Sequence, residues 1–109
     1  MVFGQAYCLL PTALNMPSNQ HPSEGALQAQ LRSEGFTSIY VWQDPPDTFY
    51  ADHTHVTETT HVILNGEMTL ILEGKRQTYR RGERCDVPAG AVHSARMGPK
   101  GCRYLIGER

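Results

Sequence analysis

This sequence predicts an all-β fold, a sandwich or closed barrel of short strands, and three observations carry the prediction. From Phe36 to the end, runs rich in aromatic and β-branched residues recur at short spacing, the pattern of half-buried strands. Ten glycines and seven prolines in 109 residues supply punctuation between those runs, as turns require. Only one stretch has helical spacing, whereas a parallel α/β sheet needs a helix between successive strands.

Taken in order, residues 1–22 hold Pro11, Pro17 and Pro22 among Asn, Ser and Gln and read as an irregular arm, lying on the barrel or on a neighbouring subunit. Ser23 to Gly35 is the helix. Ser23 caps its start, Gly35 takes the left-handed position past its end, and Leu27 and Leu31 share the face that docks it. Phe36 to Gln43 is the first strand, Asp44-Pro45-Pro46-Asp47 a loop, and Thr48 to His55 the second strand. Asn65-Gly66, between Thr60–Leu64 and Glu67–Leu72, is the strongest hairpin signal in the chain. Glu73-Gly74-Lys75, Arg81-Gly82-Glu83, Pro88-Ala89-Gly90 and Gly98-Pro99-Lys100-Gly101 are further turns, and Cys102 to Ile106 is the last strand. No repeat or low-complexity tract interrupts the series. Residues 23–109 are expected to form one domain with its barrel core over residues 36–106.

Bulk properties exclude some classes. A net charge of −1 gives no reason to expect nucleic acid or an anionic membrane as the main partner. No segment reaches the ~20 apolar residues of a membrane helix. No lysine or arginine precedes Arg32, so neither a secretory signal nor a transit peptide fits. Cys8, Cys85 and Cys102 are odd in number and lack CxxC spacing, which suits reduced, buried thiols in a cytoplasmic protein.

The chemistry concentrates in histidines. His53 and His55 are one residue apart, so on a strand both imidazoles point to one side. His61 opens the apolar run Val62-Ile63-Leu64, and His93 follows Pro88-Ala89-Gly90-Ala91-Val92. Imidazole suits Zn, Fe, Ni and Cu, and three such ligands leave open positions for water or substrate.

Gly82, Pro88, Gly90 and His93 stand at the spacing G-x5-P-x-G-x2-H-x3-N, with Met97 at the asparagine. His53, His55 and Gly66 fit G-x5-H-x-H-x3–4-E-x6-G, with Asp47 at the first glycine and Thr59 at the glutamate. In these motifs the chain resembles the cupin superfamily over residues 36–106. It is closer still to small single-domain members that share Ser33-Glu34-Gly35-Phe36, Asp44-Pro45-Pro46, Tyr50 and the stretch from Pro88 to Ala95. The resemblance implies a double-stranded β-helix, or jelly-roll, barrel with a short N-terminal helix, commonly a homodimer. It also implies a divalent transition metal (Fe, Zn, Ni, Mn or Cu) held by His53, His55 and His93. Glu58 is one residue off the motif glutamate, and a one-residue shift turns a side chain to the other face. His61 shares the face of Thr59, which makes it a fourth ligand, a proton-transfer group over the open position, or a plain pocket or core residue.

Two functions are therefore expected to compete. One is a metal-dependent small-molecule enzyme, leaning to dioxygenase or oxidoreductase chemistry because cupins with three-histidine centres include thiol and diketone dioxygenases. The other is a cupin module that binds or senses a small ligand without turnover. Tyr40, Trp42, Phe49, Tyr50 and Tyr79 are candidates to line a pocket, although such residues more often pack a core. Alternation back from His53 favours Phe49 over Tyr50, and Met97 shares the parity of His93. Thr59, Phe49 and Met97 are the expected pocket residues. Lys75, Arg76, Arg80, Arg81 and Arg84, half of the basic residues, read as solvated hairpin edges rather than a nucleic-acid patch.

Overall fold

The computed structural model describes residues 21–109. The arm expected over residues 1–22 falls outside the described residues apart from His21 and Pro22, as does Cys8. Among the described residues one helix, α1 (Glu24–Ser33), precedes six strands: β1 (Ser38–Asp44), β2 (Phe49–His53), β3 (Thr59–Leu72), β4 (Lys75–Arg80), β5 (Arg84–Val87) and β6 (His93–Glu108). The helix begins where Ser23 Oγ accepts the Ala26 N–H at 3.1 Å. It ends as Gly35 turns left-handed with φ 97°.

Every strand pairing among the described residues is antiparallel. β6 pairs with β1, β2 and β3, while β3 also pairs with β4 and β5. The two long strands thus form the spine of a jelly-roll barrel, and the four short strands complete it.

Two expected turns lie inside those long strands. β3 runs unbroken through Asn65-Gly66, and β6 runs unbroken through Gly98-Pro99-Lys100-Gly101. Each contains a glycine at positive φ, 78° at Gly66 and 79° at Gly101. The β3–β6 register slips between Ile63 and Asn65 and again between Gly66 and Met68. A left-handed glycine can build a bulge as well as a hairpin turn, and here it bends each strand where the register between them slips. The backbones meet so closely that a Cβ on Gly66 would overlap the carbonyl oxygen of Gly101. On one side of the bend β3 pairs with β5 through Thr59–Val62, and on the other with β4 through Glu67–Leu72.

Alternation along β3 separates two cores. Ile63, Met68 and Leu70 join Met97 and Tyr104 inside the barrel. Val62 and Leu64 face outward, where Leu31 and Leu27 of α1, Phe36 and Leu105 cover them. This is the docking expected of the two leucines. Buried beside that outer core is a polar network. Arg84 gives two hydrogen bonds of 3.0 Å to Asp86 and two, of 2.9 and 3.1 Å, to Glu34, and Thr60 Oγ1 donates to Asp86 at 2.6 Å. Burial alone would raise the Glu34 pKa, but the Arg84 guanidinium outweighs it and holds that carboxyl below its ordinary range. Arg84 is therefore not the solvated edge residue expected from its neighbours in sequence. Only 6% of it is exposed, because its two carboxylate partners are present to neutralise it.

Candidate metal centre

β2 ends at His53 rather than at His55, so His55 lies in the following loop, and His93 opens β6. β2 and β6 are neighbours with His53 directly opposite His93. Their ring centroids are 4.2 Å apart, and His55 completes the triangle at 4.8 and 5.0 Å. One ring nitrogen from each lies within 4.8 Å of the others. Nitrogens on a tetrahedral ion with bonds of about 2.0 Å sit roughly 3.3 Å apart, a difference that small ring rotations cover.

The hydrogen bonds behind the rings decide which nitrogens are available. His53 Nδ1 lies 2.7 Å from the Ala51 carbonyl and His93 Nδ1 3.0 Å from the Ala91 carbonyl. A carbonyl only accepts, so both Nδ1 atoms carry the proton and both Nε2 lone pairs are left to bind. Burial, followed by the charge of His53, lowers the His55 pKa. Burial also lowers that of His93, opposed in part by the Ala91 bond and helped by His53 and His55. These two rings are neutral at neutral pH, the form that ligates metal. The donor set fits a divalent transition metal.

His61 lies on the same cavity but outside this group of three. Its Nδ1 is shielded from solvent and has no partner among the described residues. Burial, with His93 and His55 adding to it, lowers its pKa to about 4. Glu58 turns away and pairs with Arg109 at 3.0 Å.

The histidines open onto a cavity of about 530 Å³, a size typical of small-molecule sites. Met97 is on its wall, as its parity with His93 suggests. Phe49 is not. It is 53% exposed, with the Arg96 guanidinium over its ring, and Tyr50 takes the inward position. The β2–β6 register shifts between Tyr50 and His53, so alternation counted back from His53 inverts across the irregularity. Thr59 is also off the cavity wall, buried in β3 between the register positions of Val87 and Glu108. Its Oγ1 has no hydrogen-bond partner among the described residues. Tyr79 packs in the barrel core.

Sequence reasoning missed Asp44 and Tyr104. Asp44 is the last residue of β1, and its carboxylate accepts from Tyr104 Oη and Tyr50 Oη at 2.7 Å each and from Trp42 Nε1 at 3.0 Å. Tyr104 reaches the cavity with its ring centroid 5.9 Å from that of His61. Its place was legible in the alternation of Cys102, Tyr104 and Ile106, whereas Asp44 was hidden in a Pro-rich loop signal. A larger groove of about 700 Å³ runs between α1 and β3 up to His21, where the described residues begin. It contains none of the four histidines at 53, 55, 61 and 93, so the candidate metal centre belongs to the smaller cavity.

No protein-family model and no curated protein matches the chain. Solved structures do. The DMSP lyase DddQ from Ruegeria pomeroyi DSS-3 superposes with a TM-score of 0.61 and 28% identity, covering 65% of this chain and 36% of the lyase. The chain thus matches well under half of that enzyme's length. A cupin-2 domain containing protein from Shewanella frigidimarina gives a TM-score of 0.57 with 20% identity, over 64% of this chain and 67% of that one. KdgF from Halomonas sp. gives 0.56 with 18% identity, over 65% and 67%. At these last two identities the likeness is one of fold.

Proposed function

The chain has the cupin fold, and on that premise we propose that it is a metal-dependent enzyme acting on a small molecule. His53, His55 and His93 hold a divalent transition metal, one of Fe, Zn, Ni, Mn or Cu. The observation that carries this reading is the convergence of three imidazoles on one cavity with two Nδ1 atoms already committed to carbonyls. A bound metal would supply Lewis acidity toward substrate heteroatoms and, as iron, redox chemistry toward oxygen. The reading leans to oxidoreductase chemistry of the dioxygenase kind because no carboxylate joins the three histidines among the described residues. That DMSP lyases share the fold supports an enzyme more generally.

The chain's own residues have distinct parts. His61 is the proposed proton-transfer group. Its depressed pKa keeps it neutral, so it can take up a proton beside the substrate without adding resident charge. Met97 and Tyr50 shape the space, and the buried Met68, Leu70 and Ala95 on the wall limit water. A reducing, cytoplasmic setting is supported by the free, buried thiols of Cys85 and Cys102. A homodimer is supported by β1, which pairs only with β6 among the described strands and leaves an edge to share. Residues 23–109 are taken as its one barrel unit.

The decisive experiment is elemental analysis of protein purified without a histidine tag or added metal, followed by oxygen-consumption and product assays with thiols, diketones and small acids. Near-stoichiometric metal and turnover are expected. Metal with ligand-induced stabilisation and no turnover would make the protein a binding or sensing module, and absence of affinity for any of these metals would overturn the site.

A further inference from the structure

The cavity has a chemical bias that its histidines do not explain. One wall is aromatic, built by Tyr40, Trp42, Tyr50 and Tyr104. The polar tips of three of these rings are already engaged, since Trp42 Nε1–H and the Tyr50 and Tyr104 hydroxyls all donate to Asp44. Apart from the Tyr40 hydroxyl, what remains for a ligand is ring faces, together with Ile106 and Met97. No lysine or arginine lines the cavity among the described residues.

Asp44 sets the sign of the potential behind that wall. It is 5% exposed, held by three hydrogen bonds, and no ion pair reaches it among the described residues. Its influence shows in its neighbours: burial first, and then Asp44, raises the Tyr104 pKa and pushes the Cys102 thiol up to about 12. A second negative charge brought against this wall would meet a buried carboxylate and find no cation to offset it.

We propose that the cavity takes a molecule with a metal-chelating head and a neutral aromatic or apolar tail stacked on Tyr40, Trp42 and Tyr50, and that Asp44 behind the wall discriminates against anionic tails. The proposal rests on the reading of His53, His55 and His93 as metal ligands and adds the substrate class to it. Sugar acids and other polycarboxylates are thereby disfavoured, because only the metal could balance their charge.

Three hydroxamates with one chelating head test the tail alone. Acetohydroxamate, benzohydroxamate and 4-carboxybenzohydroxamate are titrated into the Co(II)-loaded protein, and the visible cobalt bands report binding. Benzohydroxamate should bind about tenfold tighter than acetohydroxamate, and the carboxylated probe about tenfold weaker than benzohydroxamate. Trp42→Ala should shrink the phenyl advantage, and Asp44→Asn should narrow the penalty on the carboxylated probe. Equal binding of the acetyl and phenyl probes, or full-strength binding of the carboxylated one, overturns this inference while leaving the metal reading intact. Failure of the protein to take up Co(II) overturns the metal reading and this inference together, and the two failures are told apart by the cobalt spectrum before any probe is added.

Discussion

The two faces of β3 bury polar side chains in opposite ways. On the outer face, Thr60 joins Asp86, Arg84 and Glu34 in a network where each carboxylate is matched by the guanidinium. On the inner face, one residue away in each direction, Thr59 Oγ1 and His61 Nδ1 are buried without a partner among the described residues. Burial of polar atoms is tolerated when they are hydrogen-bonded and costs free energy when they are not. The outer network is thus part of what holds α1 to the barrel. The inner pair carries a cost that packing does not return, and of the two only His61 reaches the cavity.

The largest test of this contrast is Arg84→Met. It leaves Asp86 and Glu34 facing each other without their cation, and should cost about 3–5 kcal/mol in urea unfolding while metal content of the folded protein is unchanged. Loss of metal along with stability would mean that the two faces are not independent.

Next in size is the response to pH. With a folded pKa of about 4 against an ordinary 6.5, His61 resists a proton that the unfolded chain accepts. Its contribution to stability is complete above pH 6.5 and is lost as the pH falls toward 4, by roughly 3 kcal/mol. His55 and His93 are shifted in the same direction and add to the decline. Urea titrations of the metal-free protein across that range should show it, and His61→Leu should flatten the curve. An unchanged slope in that variant would remove His61 from the inner-face argument.

Metal binding should follow at about 2.7 kcal/mol of added stability when the ion is at a hundred times its Kd. His53→Ala and His93→Ala should abolish that gain with the barrel still folded, whereas His61→Ala should keep most of it. Thermal melts with and without chelator measure each. The smallest effects come from the adjacent threonines. Thr60→Val strips Asp86 of a donor and should cost about 1–3 kcal/mol, while Thr59→Val, which removes an unpartnered hydroxyl, should be within about 1 kcal/mol of neutral. Equal costs would erase the distinction between the faces.

Much of this was legible in the sequence. Strand-forming runs, the Ser23 and Gly35 caps and the spacing of Gly82, Pro88, Gly90 and His93 are local signals, and local signals survive folding. What escaped depends on context. Asn65-Gly66 specifies a left-handed residue, and whether that residue closes a hairpin or kinks a long strand depends on Gly101, far away in sequence. The choice between Phe49 and Tyr50 turned on a register shift that no alternation count can contain. Arg84 looked like one of five surface cations until Glu34, fifty residues earlier, was placed against it.

The close approach of Gly66 and Gly101 has a practical consequence for anyone who wishes to re-engineer the chain. Its two most inviting places to splice in a tag, move the termini or graft a loop are these glycine-rich segments, and both are structural trunk. A cut there would sever pieces that must lie in near backbone contact. The tight corner at Glu73-Gly74, which has open space around it although Gly74 itself must stay glycine at φ 84°, is the safer place for an insertion.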